Sequence, residues 1–379
     1  MPQLTEDQRL IQDTARQFAF DRLRPHAAQW DQNAVFPRDT IRDAAALGFA
    51  GIYVKEDVGG SALGRLDAAL VFEQLARGCV ATAAFISIHN MASWMIDNFG
   101  NDEQRRRWLP KLTTMELMAS YALTEPNSGS DAAALRATAK KDGNSAYVLN
   151  GSKAFISGAP ENDIYVCMVR TGEPGPKGIS TFVVEKGTPG LSFGKLENKM
   201  GWNAQPTAQV IFEDCRVPAE NRIADEGMGF RIAMMGLDGG RLNIAASSLG
   251  GATDAFERAL TYAGERKAFG KPIGEFQATQ FKLADMATEL EAARVFLYEA
   301  AARLDAKDPE ATKFCAMAKR FVTDAGFRVA NEALQIHGGY GYLKDYEIER
   351  IVRDVRVNQI LEGTNEIMRV IVARELMKG

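Results

Sequence analysis

The stretch Ile360-Leu361-Glu362-Gly363-Thr364-Asn365-Glu366-Ile367-Met368-Arg369 places one acid, Glu362, between an apolar pair and a glycine. Thr364 and Asn365 are both residue types that cap helices, and an apolar-periodic run follows to Met377. Glu362 therefore stands on a loop just outside a helix start. A carboxylate flanked by apolar side chains is desolvated. Its pKa rises, and it becomes a proton acceptor suited to neutral pH. The same residues also describe a solvated glutamate beside a helix, and this stretch alone leaves both readings open.

Three other stretches carry the chemistry of ligand binding. Tyr121-Ala122-Leu123-Thr124-Glu125-Pro126-Asn127-Ser128-Gly129-Ser130-Asp131 gathers hydroxyls, small residues and a proline turn into one loop. Such a loop offers N–H groups and hydroxyls to an electron-rich ligand. Phe155-Ile156-Ser157 sets an aromatic ring beside a hydroxyl on a strand, and Gln335-Ile336-His337-Gly338-Gly339 bares the backbone at a helix end. Taken singly, each is also an ordinary turn, strand or helix end. Gly339 belongs to no G-x-G-x-x-G following a strand, so a Rossmann nucleotide site is not supported. Cys79, Cys167, Cys215 and Cys315 are scattered, with no Cys/His cluster. The pattern implies neither a metal site nor a disulfide framework, and suits a reducing compartment. His89, inside an apolar run, is expected to be a core histidine.

Positioning these residues requires more than one domain, as 379 residues allow. Hydrophobic residues at 46% and charged residues at 25% fit a soluble enzyme, and a net charge of -4 gives no global attraction to nucleic acid or anionic membrane. Arg105-Arg106-Arg107, beside Asp102 and Glu103, is expected to be a solvated helix face. No apolar run reaches spanning length, and the N-terminus lacks signal-peptide or transit-peptide character. The chain as given reads as cytoplasmic and bacterial, or as a mature organellar matrix form.

Residues 1–118 read as a helical domain. Thr5 and Gln8 form a capping box, and helices are expected over 38–47, 66–77 and 80–99, with an extended piece at 51–54. Residues 119–226 read as a β-barrel or sandwich, with strands over 164–169, 179–185 and 210–217. Asn150-Gly151 between apolar runs predicts a hairpin there. Residues 227–379 read as long helices over 229–269, 276–304 and 310–337, a further segment to 360 and a final helix. The expected fold is mainly α with a central β domain: an N-terminal helical domain, a β-barrel or sandwich in the middle and a C-terminal four-helix bundle.

In that order the chain also carries Tyr121 to Asp131 (Y-x-x-T-E-P-x-x-G-S-D), Phe155-Ile156-Ser157, Arg266-Lys267-Ala268-Phe269-Gly270 (R-x-x-F-G), Gln335 to Gly339, and Glu362 to Glu366 (E-G-T/S-N-E). With these five motifs it resembles the acyl-CoA dehydrogenase family over essentially its whole length. The resemblance implies an FAD between the β domain and the bundle. Tyr121, Leu123, Thr124, Gly129 and Ser130 would line its isoalloxazine, with Phe155, Ile156 and Ser157 along the other side. Arg266, Phe269, Phe276 and Gln277 would meet the pyrophosphate and adenosine across a subunit interface. Gln335, Ile336, His337, Gly338 and Gly339 would serve the cofactor of a neighbouring subunit. Thr364, Asn365 and Glu366 would complete the cofactor site at the helix start. For an acyl-CoA substrate, Ser130, Asp238, Gly239, Gly240, Arg241 and Arg374 match contact positions, although Arg374 also reads as a cation meeting a helix C-terminal dipole. The implied chemistry is removal of the α-proton by Glu362 while a hydride leaves Cβ for the flavin. The implied partners are an electron-transfer flavoprotein and, as a dimer of dimers, three more copies of the chain.

Within the family, Lys199 to Thr207, Phe212 to Cys215, Leu237 to Arg241 and His337 to Tyr346 resemble members acting on isobutyryl-CoA in valine breakdown. Asp238 departs from the asparagine expected there. Butyryl-CoA and 2-methylbutyryl-CoA stay open as substrates, since one methylene is worth only about 1–3 kcal/mol in an apolar pocket. The relative acting on isovaleryl-CoA carries its base on a different helix. The matching position here is Gly240, which cannot be a base. An acyl-CoA oxidase on the same scaffold and a non-catalytic helical scaffold protein are the remaining alternatives.

Overall fold

The computed structural model describes residues 4–378. The chain begins with helices α1 (Glu6–Phe18), α2 (Ala27–Asn33), α3 (Arg38–Ala45), α4 (Arg65–Gly78), α5 (Val80–Phe99) and α6 (Asp102–Thr113). Thr5 and Gln8 form the expected capping box on α1. A π-helical turn, Ala19–Leu23, extends α1, and neither that turn nor α2 has a strong apolar period. Residues 51–54 are turns rather than an extended piece. The apolar run of α5 is buried nearly all round. Within it, His89 accepts a hydrogen bond from the Ala119 N–H (3.0 Å) through Nδ1 and contacts the Leu112 carbonyl (2.9 Å) through Nε2. It is a satisfied core histidine, and burial pushes its pKa down to about 4.

The arginine cluster corrects one expectation. Arg105 does not face solvent: it is buried, donating to Asp97 (2.8 Å) and, bidentately, to Asp57 (2.9 and 2.7 Å). Its acid partners come from elsewhere in the chain, which local charge patterning does not reveal. Arg106 is exposed, as expected for that face.

Next come β1 (Ala119–Ala122), β2 (Thr138–Asp142), β3 (Ala146–Ser157), β4 (Ile164–Arg170), β5 (Ile179–Glu185), β6 (Leu191–Phe193), β7 (Thr207–Pro218) and β8 (Arg222–Ile223). They form one eight-stranded sheet in the order β6-β7-β3-β2-β4-β5-β8, with β1 pairing parallel to β4. Strands β4 and β5 are buried on both faces and read as continuous apolar runs. The predicted hairpin at Asn150-Gly151 is not formed. Strand β3 runs straight through it, with a bulge between Leu149 and Gly151 against β7. A side chain at Gly151 would collide with Ala137, just before β2, 2.7 Å from its Cα, so glycine is required by close backbone approach and not by a turn. Asn150 spends its amide on Asp214 across the bulge. The true hairpin turn precedes β3, at Gly143 with φ 65°.

Helix α7 (Gly229–Glu265) then leads into a small ribbon, β9 (Lys267–Ala268) and β10 (Lys271–Pro272). The expectation ran this helix on to Phe269. Instead Phe269 and Gly270 take φ 51° and 86°, the two positive values a tight hairpin turn needs. Helices α8 (Gln277–Asp305), α9 (Ala311–His337), α10 (Ile348–Arg356) and α11 (Asn365–Leu376) complete the chain. At 37 residues α7 is the spine, packing on α4, α5, α8 and α9. One apolar core joins the first helices to the bundle through Phe72, Phe85, Leu242, Leu249, Leu297 and Val322. A second, with Val166, Val183, Ile232 and Leu237, joins the sheet to α5 and α7. The fold is mainly helical with a central β region.

Candidate active site

Glu362 sits between α10 and α11 with φ 55°, followed by Gly363 with φ 88°. Two successive left-handed residues turn the chain sharply, and the Thr364 hydroxyl then accepts from the Ile367 N–H (3.3 Å) to cap α11. The turn aims the Glu362 carboxylate at α7. The residue as a whole is half-buried, yet its Oε2 is shielded from solvent and has no hydrogen-bond partner among the described residues. Burial raises its pKa to about 7, while the charges of Arg241 and Lys319 partly offset the rise.

Helix α7 receives the carboxylate at a gap. A Cβ on Gly240 would lie 2.9 Å from Glu362 Cδ and closer still to Oε2, so glycine leaves the space in which the carboxylate rests as placed. One residue earlier, a Cβ on Gly239 would lie 2.6 Å from the Arg65 Cζ. The Arg65 guanidinium lies flat over Tyr53 (3.8 Å) and near Trp94 (5.0 Å). Arg241 points inward. It donates to Asp238 (2.6 Å), contacts the Glu362 carbonyl at 3.5 Å and is buried. Asp238 also accepts from Thr312 (2.8 Å). Near the carboxylate, the Tyr121 hydroxyl is buried without a hydrogen-bond partner among the described residues. Burial and then the Glu362 charge push its pKa up, with Arg241 opposing.

A second group forms around the Thr124 loop. The Ala154 N–H donates to the Thr124 carbonyl (2.8 Å), which ties the loop to β3 just before Phe155-Ile156-Ser157. Beneath it, buried Lys153 donates to the Leu123 carbonyl (3.1 Å) and to Glu125 (2.8 Å), and Glu125 accepts from the Arg136 and Ala137 N–H groups. Ile156 is buried and Ser157 half-buried. Phe155, with φ 57°, is 66% exposed, and Gly129 and Ser130 are exposed at the loop tip with nothing within 4 Å of a Cβ on Gly129. This is an open ledge of apolar ring, hydroxyl and free backbone.

The third group lies where α9 ends. Arg266, Ile336, His337, Gly338 and Gly339 line a cavity of about 510 Å³ together with Tyr262, Ile273, Tyr340 and Leu343. His337 stacks on Tyr262 (4.4 Å), and Arg266 lies over Tyr340 (5.4 Å). Gln335 and Gln277 are exposed nearby in sequence, and Phe269, 97% exposed, packs only edge-on against Phe276 (6.2 Å). Glu362 does not line this cavity.

Two expected site residues are not brought to these surfaces. Asn365 turns inward, its amide donating to Thr323 (3.0 Å) and Asp324 (2.7 Å) on α9. Arg374 lies at the far end of α11, about 15 Å along the axis from Thr364, exposed and facing Glu375. Glu366 is exposed, its pKa held down by its own backbone N–H and by Thr364. Residue spacing alone did not single out Lys319, Arg65 or Tyr53. Lys319 had a signal: it falls on the stripe of Cys315, Ala318 and Val322 that α9 buries.

The profile for the N-terminal domain of acyl-CoA dehydrogenases matches residues 5–116, that for the middle domain 120–215, and that for the C-terminal domain 227–377. The chain belongs to the acyl-CoA dehydrogenase family. Among its relatives, the mitochondrial isobutyryl-CoA dehydrogenase of Dictyostelium discoideum is 57% identical over 376 residues, covering 99% of this chain and 90% of the relative. The structure of butyryl-CoA dehydrogenase from Megasphaera elsdenii superposes with a TM-score of 0.96 at 38% identity, covering 99% of each chain. The FAD complex of PigA superposes with a TM-score of 0.95 at 33% identity, covering 100% of this chain and 99% of that one. As a member of this family the chain is an oxidoreductase acting on a CH–CH bond with a flavin. Its surfaces suit FAD: an open apolar ledge by Phe155 and Gly129, and an arginine with bare glycine backbone by Arg266, Gly338 and Gly339. Among the described residues no helix is long and apolar enough to cross a membrane.

Proposed function

We propose that this acyl-CoA dehydrogenase removes the α and β hydrogens of a short branched-chain acyl-CoA, with isobutyryl-CoA, giving methacrylyl-CoA, as the preferred substrate. Glu362 is the base. The observation that carries the reading is its carboxylate, which is desolvated, unpartnered and received by a gap in α7 that only glycine leaves. A pKa near 7 matches the base to neutral pH, where both its ionised fraction and its proton affinity are useful. When bound, FAD supplies the acceptor for the hydride that leaves Cβ.

The chain supplies the rest. The Glu362 N–H has no acceptor among the described residues and can donate to the thioester oxygen, where charge builds as the α-proton departs. Arg241, fixed by Asp238, holds the Glu362 carbonyl from the α7 side. The buried Tyr121 hydroxyl lies close enough to feel the Glu362 charge, and the low-dielectric surroundings it shares strengthen both interactions. We assign the Thr124–Ser130 loop and Phe155 to Ser157 to the flavin ring, and Arg266, Phe269, Phe276, Gln277 and the Gln335–Gly339 turn to the rest of the cofactor, across a dimer-of-dimers interface. An electron-transfer flavoprotein is the proposed acceptor, and a bacterial cytoplasm or organellar matrix the proposed location. The preference for isobutyryl-CoA is supported by the degree of identity to the relative that bears that substrate's name.

The test is anaerobic. Mixing the yellow protein with isobutyryl-CoA should bleach the flavin absorbance, and kcat/KM should exceed that for butyryl-CoA and 2-methylbutyryl-CoA. Glu362→Gln should stay yellow and lose nearly all turnover. A clear preference for butyryl-CoA overturns the substrate, and an active Glu362→Gln overturns the base.

A further inference from the structure

We propose that Lys319 is a positioning residue for the catalytic carboxylate: its buried ammonium clamps the Glu362–Asn365 turn and supplies the counter-charge under it. This rests on Glu362 being the base.

Lys319 projects from the middle of α9 and is fully buried. Its Nζ donates to the Gly363 carbonyl (2.7 Å) and to the Asn365 amide oxygen (2.9 Å). These are the residues that follow Glu362, and the first of them is the second left-handed residue of the turn. The amide is itself fixed by Thr323 and Asp324, so the ammonium sits in a socket whose position does not depend on substrate. Without the clamp, the Gly363 carbonyl would lose its buried donor and the turn its reason to hold Glu362 at φ 55°.

The ammonium has no carboxylate within ion-pair distance among the described residues, which is unusual for a buried lysine. The charges that face it come from several elements: Glu362 and Glu366 around the start of α11, Asp324 on α9 itself, and Arg241 on α7 with the same sign. Tyr121, from β1, faces the same carboxylate. Burial pushes Lys319 down to about 7 and Glu362 up to about 7, while each charge favours the other. Arg241, which also pairs with Asp238, is the larger cationic influence on Glu362, and Lys319 adds to it from α9.

Two substitutions separate clamp from charge. Lys319→Gln keeps an N–H donor and removes the charge. Lys319→Met removes both. Both should retain FAD, read from the visible spectrum. With isobutyryl-CoA, Lys319→Gln should raise the pH of half-maximal kcat by about one unit, since the carboxylate loses a neighbouring cation. Lys319→Met should show the same shift and lower the plateau kcat by about 10- to 100-fold, with KM changed much less. A merely structural lysine would lower the melting temperature and leave the pH midpoint in place, and that result overturns the proposal. So does a wild-type kcat in Lys319→Met. If neither variant folds, Asn365→Leu removes one acceptor of the ammonium and must move the midpoint in the same direction; an unmoved midpoint overturns the proposal. Glu362→Gln is assayed in parallel. Substantial turnover there removes the base itself, whereas an inactive Glu362→Gln beside an unshifted Lys319→Gln removes only the role of Lys319.

Discussion

Gly240→Ala is the smallest change that tests the geometry of the base. A methyl group at 240 would lie 2.9 Å from Glu362 Cδ and 3.1 Å from Oε1, with Oε2 nearer still. Comfortable contact is about 3.5–4.0 Å, so the carboxylate must retreat by roughly 1 Å. It cannot retreat freely, because the turn behind it is held at the Gly363 carbonyl and capped by Thr364. A displacement of that size at a reacting atom costs on the order of 100-fold in rate. The backbone has no quarrel with the change. Position 240 lies inside α7, where alanine favours the helix over glycine by about 1 kcal/mol. Gly240→Ala should thus lower kcat with isobutyryl-CoA about 100-fold, while FAD content and melting temperature stay at or above those of the parent. Steady-state turnover with a dye acceptor, the flavin spectrum and a thermal melt together decide it. A kcat within threefold of the parent would show that the carboxylate does not work from this position.

Two other outcomes follow from buried charge. Lys153→Met leaves the Glu125 carboxyl buried beside the Thr124 loop without its cation, and should cost about 3–5 kcal/mol in denaturant unfolding, part of it regained by adding Glu125→Gln. An unfolding midpoint like the parent's would mean that the pair contributes nothing. His89 is neutral in the fold, with its pKa pushed down to about 4, while the unfolded chain protonates near pH 6.5. Above pH 6.5 neither state binds the proton, and below it only the unfolded state does, so stability is lost as pH falls from 6.5 toward 4. His89→Gln should flatten the drop in unfolding free energy between pH 7 and pH 5 by about 2 kcal/mol, and an unchanged slope would refute it.

The helical segments were legible because their periods are strong: α5 and the Thr5 cap lie where the apolar run and the capping box put them. The failures share a cause. Asn150-Gly151 carries the composition of a turn, but its glycine answers to Ala137, which leads into a neighbouring strand. Arg105 carries the composition of a surface, but its carboxylates stand at 57 and 97. At the site, Glu362 was legible as a candidate base only together with the other motifs, since its own stretch also describes a solvated glutamate beside a helix. Its receiving gap was not, because nothing local to Gly240 says which side chain fills the missing volume. Asn365 misled for the opposite reason. It sits in a motif beside the base, yet its amide belongs to α9.

The gap in α7 also explains why a base at 362 and a side chain at 240 exclude one another. The volume a side chain would take at 240 is the volume the Glu362 carboxylate occupies. With the base proposed at 362 in this chain and a relative's base on the helix matching 240, the family resemblance describes one location reached from two directions. What the reaction requires is a carboxylate at that point, shielded by Tyr121 and flanked by cationic groups. Either helix can deliver it, provided the other presents nothing larger than a hydrogen. On the proposed mechanism Gly240 is thus as much a part of the site as Glu362, although it touches no proton, and the side chain it makes room for stands 122 positions later in the chain.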